Sequence, residues 1–131
     1  VAVGTLHACG LTPRGRVYCW GSNFYGSLGD GTTQDRSIPA PVIQPDSLRF
    51  VQVVANYNVT CGLTALGDAH CWGNGEEVGA GSTAPRLTPT AVAQPGNVRF
   101  RRLTRGCGIT VAGRVYCWGG VYQRTDSTRI G

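Results

Sequence analysis

The 131-residue chain contains no methionine and no lysine, so all twelve of its basic side chains are arginines. It has no apolar run near the roughly 18 residues that a membrane-spanning helix needs. The longest candidate, FVQVVA from Phe50, is far too short, and no membrane span is expected. Histidine occurs only at His7 and His70, and neither stands in a pattern with a nucleophile and an acid, which leaves a hydrolytic triad without support. No segment sustains an amphipathic helical period. The chain starts at Val1 without a charged, apolar and small-residue leader, which suggests a processed or trimmed polypeptide.

What the sequence does contain is repetition. CWG occurs at 71–73 and 117–119 as it does at 19–21, and these tripeptides hold all three tryptophans, Trp20, Trp72 and Trp118. Ten positions before each of their cysteines stands another cysteine, opening CGLT at Cys9, CGLT at Cys61 and CGIT at Cys107. The periods fall in the range of propeller blades and other repeat architectures. Between the two phrases lie PRG, ALG and VAG, ending in Gly15, Gly67 and Gly113. Each reads as a three-residue hairpin loop closed by a glycine in the left-handed conformation.

Folding the first hairpin about Arg14 sets Leu11 opposite Val17, Gly10 opposite Tyr18, Cys9 opposite Cys19 and Ala8 opposite Trp20. Alternation then makes the cysteines a non-hydrogen-bonded pair, the closer kind, which suits a cross-strand disulfide. The same arithmetic pairs Cys61 with Cys71 and Cys107 with Cys117. Each bridge would contribute on the order of 3 kcal/mol in the chain-entropy picture. Zinc is a rival reading, although cysteines a whole hairpin apart form a weak metal signal, and reduced structural thiols are another. Disulfides are favoured, which points to an oxidising compartment. On the opposite face Gly10, Gly62 and Gly108 fall across from Tyr18, His70 and Tyr116, aromatic rings laid over bare backbone. The tryptophans face Ala8, Thr60 and Gly106. Neither face reads as wet, so the hairpins are expected between neighbouring sheets.

The surroundings read as further strands: SLRFVQVVAN, NVRFRRLT and a proline-bounded extended stretch ending IPAPV, with QPDS and QPGN as matching turns. The fold class is all-β, about four antiparallel strands per repeat. The domain reading is one repeat domain over 1–131, with repeats near 1–52 and 53–102 and a degenerate one near 103–131.

HACGLTPRGRVYCWGSNFYGSLGDGT from His7, followed by IPAPV, resembles a repeat of the regulator of chromosome condensation family. The second repeat, TCGLTALGDAHCWGNGEEVGAGST, follows it closely, and the third keeps GCGITVAGRVYCWG before departing. The resemblance implies a β-propeller, usually seven-bladed in that family. The cysteine-paired form is similar to repeats of exported bacterial proteins, which implies a secreted or cell-surface location. Three repeats cannot close a ring, so an incomplete propeller or arc is expected, with exposed blade faces and edges. Members of the family include a nucleotide-exchange factor and an inhibitor of β-lactamases, and fold alone transmits neither activity.

Charge is split along the chain. Residues 1–85 hold four arginines and six acids, whereas 86–131 hold eight arginines and Asp126. The cluster at Arg99, Arg101, Arg102 and Arg105 is a candidate assembly surface, for head-to-tail contact between copies. Scattered surface charge is the plainer account, and nucleic acid is disfavoured because lysine and interleaved aromatics are missing. GNGEEVG from Gly73 lacks the context of a phosphate loop because it opens no expected helix. Asp30 and Asp35 read as solvated turn acids rather than calcium ligands. His70 occupies the slot of Tyr18 and Tyr116, and His7 is expected at a strand edge. Asn58 begins a glycosylation sequon. No catalytic residue, metal or cofactor is assigned. The expected role is a non-enzymatic binding or structural module, contacting a protein partner through loops 23–35 and 76–83. The alternative is a self-assembling fibre or surface-layer subunit.

Overall fold

The computed structural model describes residues 1–4, 6–78, 84–94, 98–104, 106–118 and 127–130, with backbone alone at 76, 77 and 127–130. Three four-stranded sheets follow one another along the chain. The first holds β1 (Ala2–Val3), β2 (His7–Leu11), β3 (Val17–Gly21) and β4 (Arg36–Pro41), in that order. The second holds β5 (Phe50–Ala55), β6 (Val59–Thr64), β7 (Ala69–Gly73) and β8 (Arg86–Ala91). The third holds β9 (Phe100–Thr104), β10 (Cys107–Thr110), β11 (Val115–Trp118) and β12 (Ser127–Ile130). All pairings are antiparallel except that of β11 with β12, which is parallel and departs from the antiparallel pattern expected for the degenerate repeat. A second departure is α1 (Gly75–Val78), a single helical turn where no helix was expected.

The hairpin register is the one that the glycine turns dictate. Cys9 stands opposite Cys19, Cys61 opposite Cys71 and Cys107 opposite Cys117. Each pair is disulfide-bonded, with Cα atoms 4.1, 4.1 and 4.0 Å apart, the short spacing of a non-hydrogen-bonded pair. Gly15, Gly67 and Gly113 close the turns with φ of 83°, 91° and 85°, values that a side chain resists.

Neighbouring sheets approach through their first strands: β5 touches β1 and β2, and β9 touches β5 and β6. Two cores result. Between the first and second sheets lie Cys9, Val17, Cys19, Leu28 and Val42, against Phe50 and Trp72. Between the second and third lie Val59, Cys61, Leu63, Ala69, Cys71, Val78 and Val92, against Phe100, Leu103 and Trp118. So the cystine side of one sheet receives the ring side of the next. The ring side of the first sheet is wetter than the sequence reading has it, with Tyr18 40% exposed.

Candidate functional site

What the sheets display depends on how the junctions consume side chains. The ring over Gly62 is Phe50, and the ring over Gly108 is Phe100; a Cβ on either glycine would fall 2.6 or 2.5 Å from the phenyl carbons. This corrects the cross-strand reading, in which His70 and Tyr116 cover those glycines. The cause is a bulge: the register slips between Phe50 and Gln52, and again where Phe100 faces Thr110 while Arg102 faces Ile109. The extra residues, Val51 and Arg101, are pushed outward, and the phenylalanines turn inward. Phe50 then lies 6.1 Å from His70 and 5.9 Å from Trp72, and Phe100 lies 6.2 Å from Tyr116 and 5.8 Å from Trp118. Over Gly10 the nearest atom belongs to Trp20, at 4.0 Å from a built Cβ.

His7 is buried rather than at an open edge, because it reaches across the first junction. The Thr60 hydroxyl donates to the Ser27 carbonyl at 2.7 Å, so His7 supplies the proton of its own 2.8 Å bond to Thr60, from Nε2. Burial holds the His7 pKa down at about 4. His70 is also lowered by burial, partly offset by Asp68. The Thr60 hydroxyl beside His7 gives its proton to Ser27 and not to the imidazole, so the two do not form a nucleophile and its base.

Loop 22–35 is less of a display surface than its composition suggests. Asn23 is fully buried and donates to Asp30, Thr32 and the Gln34 carbonyl, while its own oxygen accepts from Leu28 N at 2.9 Å. Asp35 accepts from Asn23 N at 2.8 Å, and Asp30 pairs with Arg36 at 3.0 Å. Burial raises the Asp30 carboxyl, but hydrogen bonds from Thr32, Arg36 and Asn23 outweigh it and hold the pKa below its usual value. These acids secure the loop, which plants Leu28 in the core and leaves Phe24 exposed. Among the described residues no group of three His, Cys, Asp or Glu could hold a metal ion.

At the opposite end, two glutamines do a job that the sequence reading saw only as turns. Gln44 accepts from Val17 N and donates to the carbonyls of Gly15 and Leu48. Gln94 repeats this with Ala69 N, Gly67 and Val98. The signal was the Gln-Pro pair at 44–45 and 94–95. Beside Gln44, a cleft of about 280 Å³ is lined by Arg16, Tyr18, Pro41 and Asp46, with Arg16 and Asp46 already paired at 2.8 Å.

Of the candidate assembly arginines, Arg101 and Arg102 are exposed on β9, Arg99 lies 3.4 Å from Asp68, and Arg105 falls outside the described residues. Asn58 is half-buried in the β5–β6 turn, its carbonyl accepting from Asn74 N. Of loop 76–83, residues 79–83 and the side chains of 76 and 77 lie outside the described residues.

Residues 14–63 match the regulator of chromosome condensation (RCC1) repeat, spanning the first hairpin turn to the second sheet. The match covers one repeat of this chain. The chain is 32% identical over 108 residues to the ultraviolet-B receptor UVR8 of Arabidopsis thaliana, covering 81% of this chain and 24% of the receptor. Its fold is similar to human WBSCR16, with a TM-score of 0.78 at 24% identity over 90% of this chain and 32% of that one. It is also similar to Prp20p of Saccharomyces cerevisiae, with a TM-score of 0.75 at 24% identity over 91% and 31%. The sheets thus have the fold of β-propeller blades, and the chain spans about a quarter to a third of these relatives' length.

Proposed function

We propose that this chain is a non-catalytic protein-binding module, three RCC1 blades presented in an oxidising, exported setting at the cell surface or beyond. The observation that carries the reading is the division of labour within the repeat. The repeated residues, cystine, Gly, Phe, Trp and Gln, are spent on the junctions, while the exposed residues, such as Phe24, Leu66 and Val111, differ from repeat to repeat. Rigid sheets with variable tips suit recognition. The solved structure of Prp20p is described together with its binding to Gsp1p and histones, which supports a protein partner for RCC1 blades in general. Here the partner's identity is not carried over.

Two measurements test this. A photo-crosslinking residue at Phe24 or Leu66, in the protein expressed in its own source, is expected to trap a defined partner, whereas the same group at buried Val42 traps none; equal labelling at all three would contradict it. Alkylation without reductant of protein from that source is expected to modify no cysteine. Six modified thiols would refute the exported setting.

A second reading has copies stacking head to tail. It is favoured by unlike ends: Gly113 meets no described neighbour where Gly15 and Gly67 each abut the next sheet, and Tyr18 is part-exposed on the first sheet. Sedimentation across salt concentrations decides it, a monomer at every salt removing self-assembly.

A further inference from the structure

Strand direction sorts the charges by end rather than by half of the chain. Turns 12–16, 64–68 and 110–114 and connecting residues 42–49, 92–94 and 98–99 share one end of the sheets; residues 22–35, 56–58, 74–78 and 84–85 share the other. The turn end gathers Arg14, Arg16, Arg49, Arg99 and Arg114, and the bulged Arg101 reaches back to it, its Nε 3.3 Å from the Thr110 carbonyl. Among the described residues, Asp46 and Asp68 alone oppose these six arginines there. The other end carries Asp30, Asp35, Glu76 and Glu77, with Arg36 and Arg86 at the strand starts.

The arginines form a row that crosses all three blades. Each lies against a hairpin turn: Arg49 Nη1 donates to the Arg14 carbonyl at 2.8 Å, Arg99 stands 3.4 Å from Asp68, and Arg101 touches the third turn. Arg114 lies over the Tyr116 ring at 5.9 Å. Arg49 and Arg101, each tethered at one N–H, hold their guanidinium forks in place, the arrangement that recognises carboxylates. Between the arginines stand aliphatic tips, Leu66 at 80% and Val111 at 84% exposed.

We propose that this end is a docking surface for an acidic face of a partner protein. Arginine mixed with exposed apolar groups is the composition of protein interfaces. A surface for nucleic acid would set aromatic rings between its cations, and would be opposed by Asp46 and Asp68 on the same face. Those two acids already show, on Arg16 and Arg99, how a carboxylate sits there.

The inference rests on the binding-module reading. The test uses the oxidised 131-residue chain and a labelled peptide of Glu-Glu-Leu repeats, followed by fluorescence anisotropy. Binding is expected at low salt, weakening as salt rises. It should fall about tenfold or more when Arg14, Arg49, Arg101 and Arg114 are all changed to Gln. Leu66→Glu, which touches no hydrogen bond in the turn, should weaken it comparably and keeps the test valid if the fourfold variant misfolds. No binding, equal binding by both variants, or tighter binding of duplex DNA of the same charge would overturn the proposal. Such a failure leaves the binding-module reading standing or falling on the crosslinks at Phe24, at the other end of the sheets.

Discussion

Thr60 receives a proton from His7 Nε2 and gives its own to the Ser27 carbonyl. Removing its hydroxyl strands a buried donor on one side and a buried acceptor on the other. Thr60→Val is therefore expected to cost about 1–3 kcal/mol, read from urea unfolding of the oxidised protein. His7 also sets a pH dependence. Its folded pKa, about 4, lies below the ordinary 6.5, so between these values the unfolded chain holds the extra proton. Stability is then fully present above pH 6.5 and is lost as pH falls towards 4, by up to about 3 kcal/mol. His7→Gln should flatten most of that slope, leaving the part from His70, which has the same sign. A slope unchanged by the substitution would show that His7 titrates normally. None of this was legible in the chain: His7 and Thr60 lie in different repeats, and only stacking brings them together.

Within the hairpins, equivalent positions are not equivalent in energy. Gly67 and Gly113 both have φ near 90°, and the turn chemistry that demands glycine was readable from ALG and VAG alone. Their surroundings were not. A Cβ on Gly67 would meet Arg99 Cβ at 2.8 Å and the Phe100 backbone at 2.9 Å, whereas one on Gly113 meets no atom of the described residues within 4 Å. Gly113→Ala should cost only the left-handed penalty, about 1–2 kcal/mol, and Gly67→Ala about 1–3 kcal/mol more from overpacking, measured side by side by chemical denaturation. Equal losses would mean that the second turn does not abut the third sheet. Gln94→Ala should likewise destabilise, by about 1–3 kcal/mol, by freeing Ala69 N and two carbonyls. Register was legible because period-2 alternation and a fixed turn leave one pairing. The position of the phenylalanines was hidden, because a bulge shifts a ring by one residue without changing the composition of the strand.

At the scale of the molecule, the repeat alternates two unlike faces, cystine and ring, and stacking consumes one of each per junction. The all-β class and the blade count follow from the spacing of CWG and CGLT phrases. The parallel course of β12 does not, since the third repeat departs from the first after GCGITVAGRVYCWG, in the stretch that leads to its last strand. Charge by halves of the sequence was a poor guide to charge on the surface, because antiparallel strands carry residues from every repeat to both ends. The most direct measurement is a peptide map of the folded protein digested without reductant. Three linked pairs are predicted, Cys9 with Cys19, Cys61 with Cys71 and Cys107 with Cys117. Peptides joining cysteines of different sheets, or unlinked cysteines throughout, would contradict the stacked-blade account at its base.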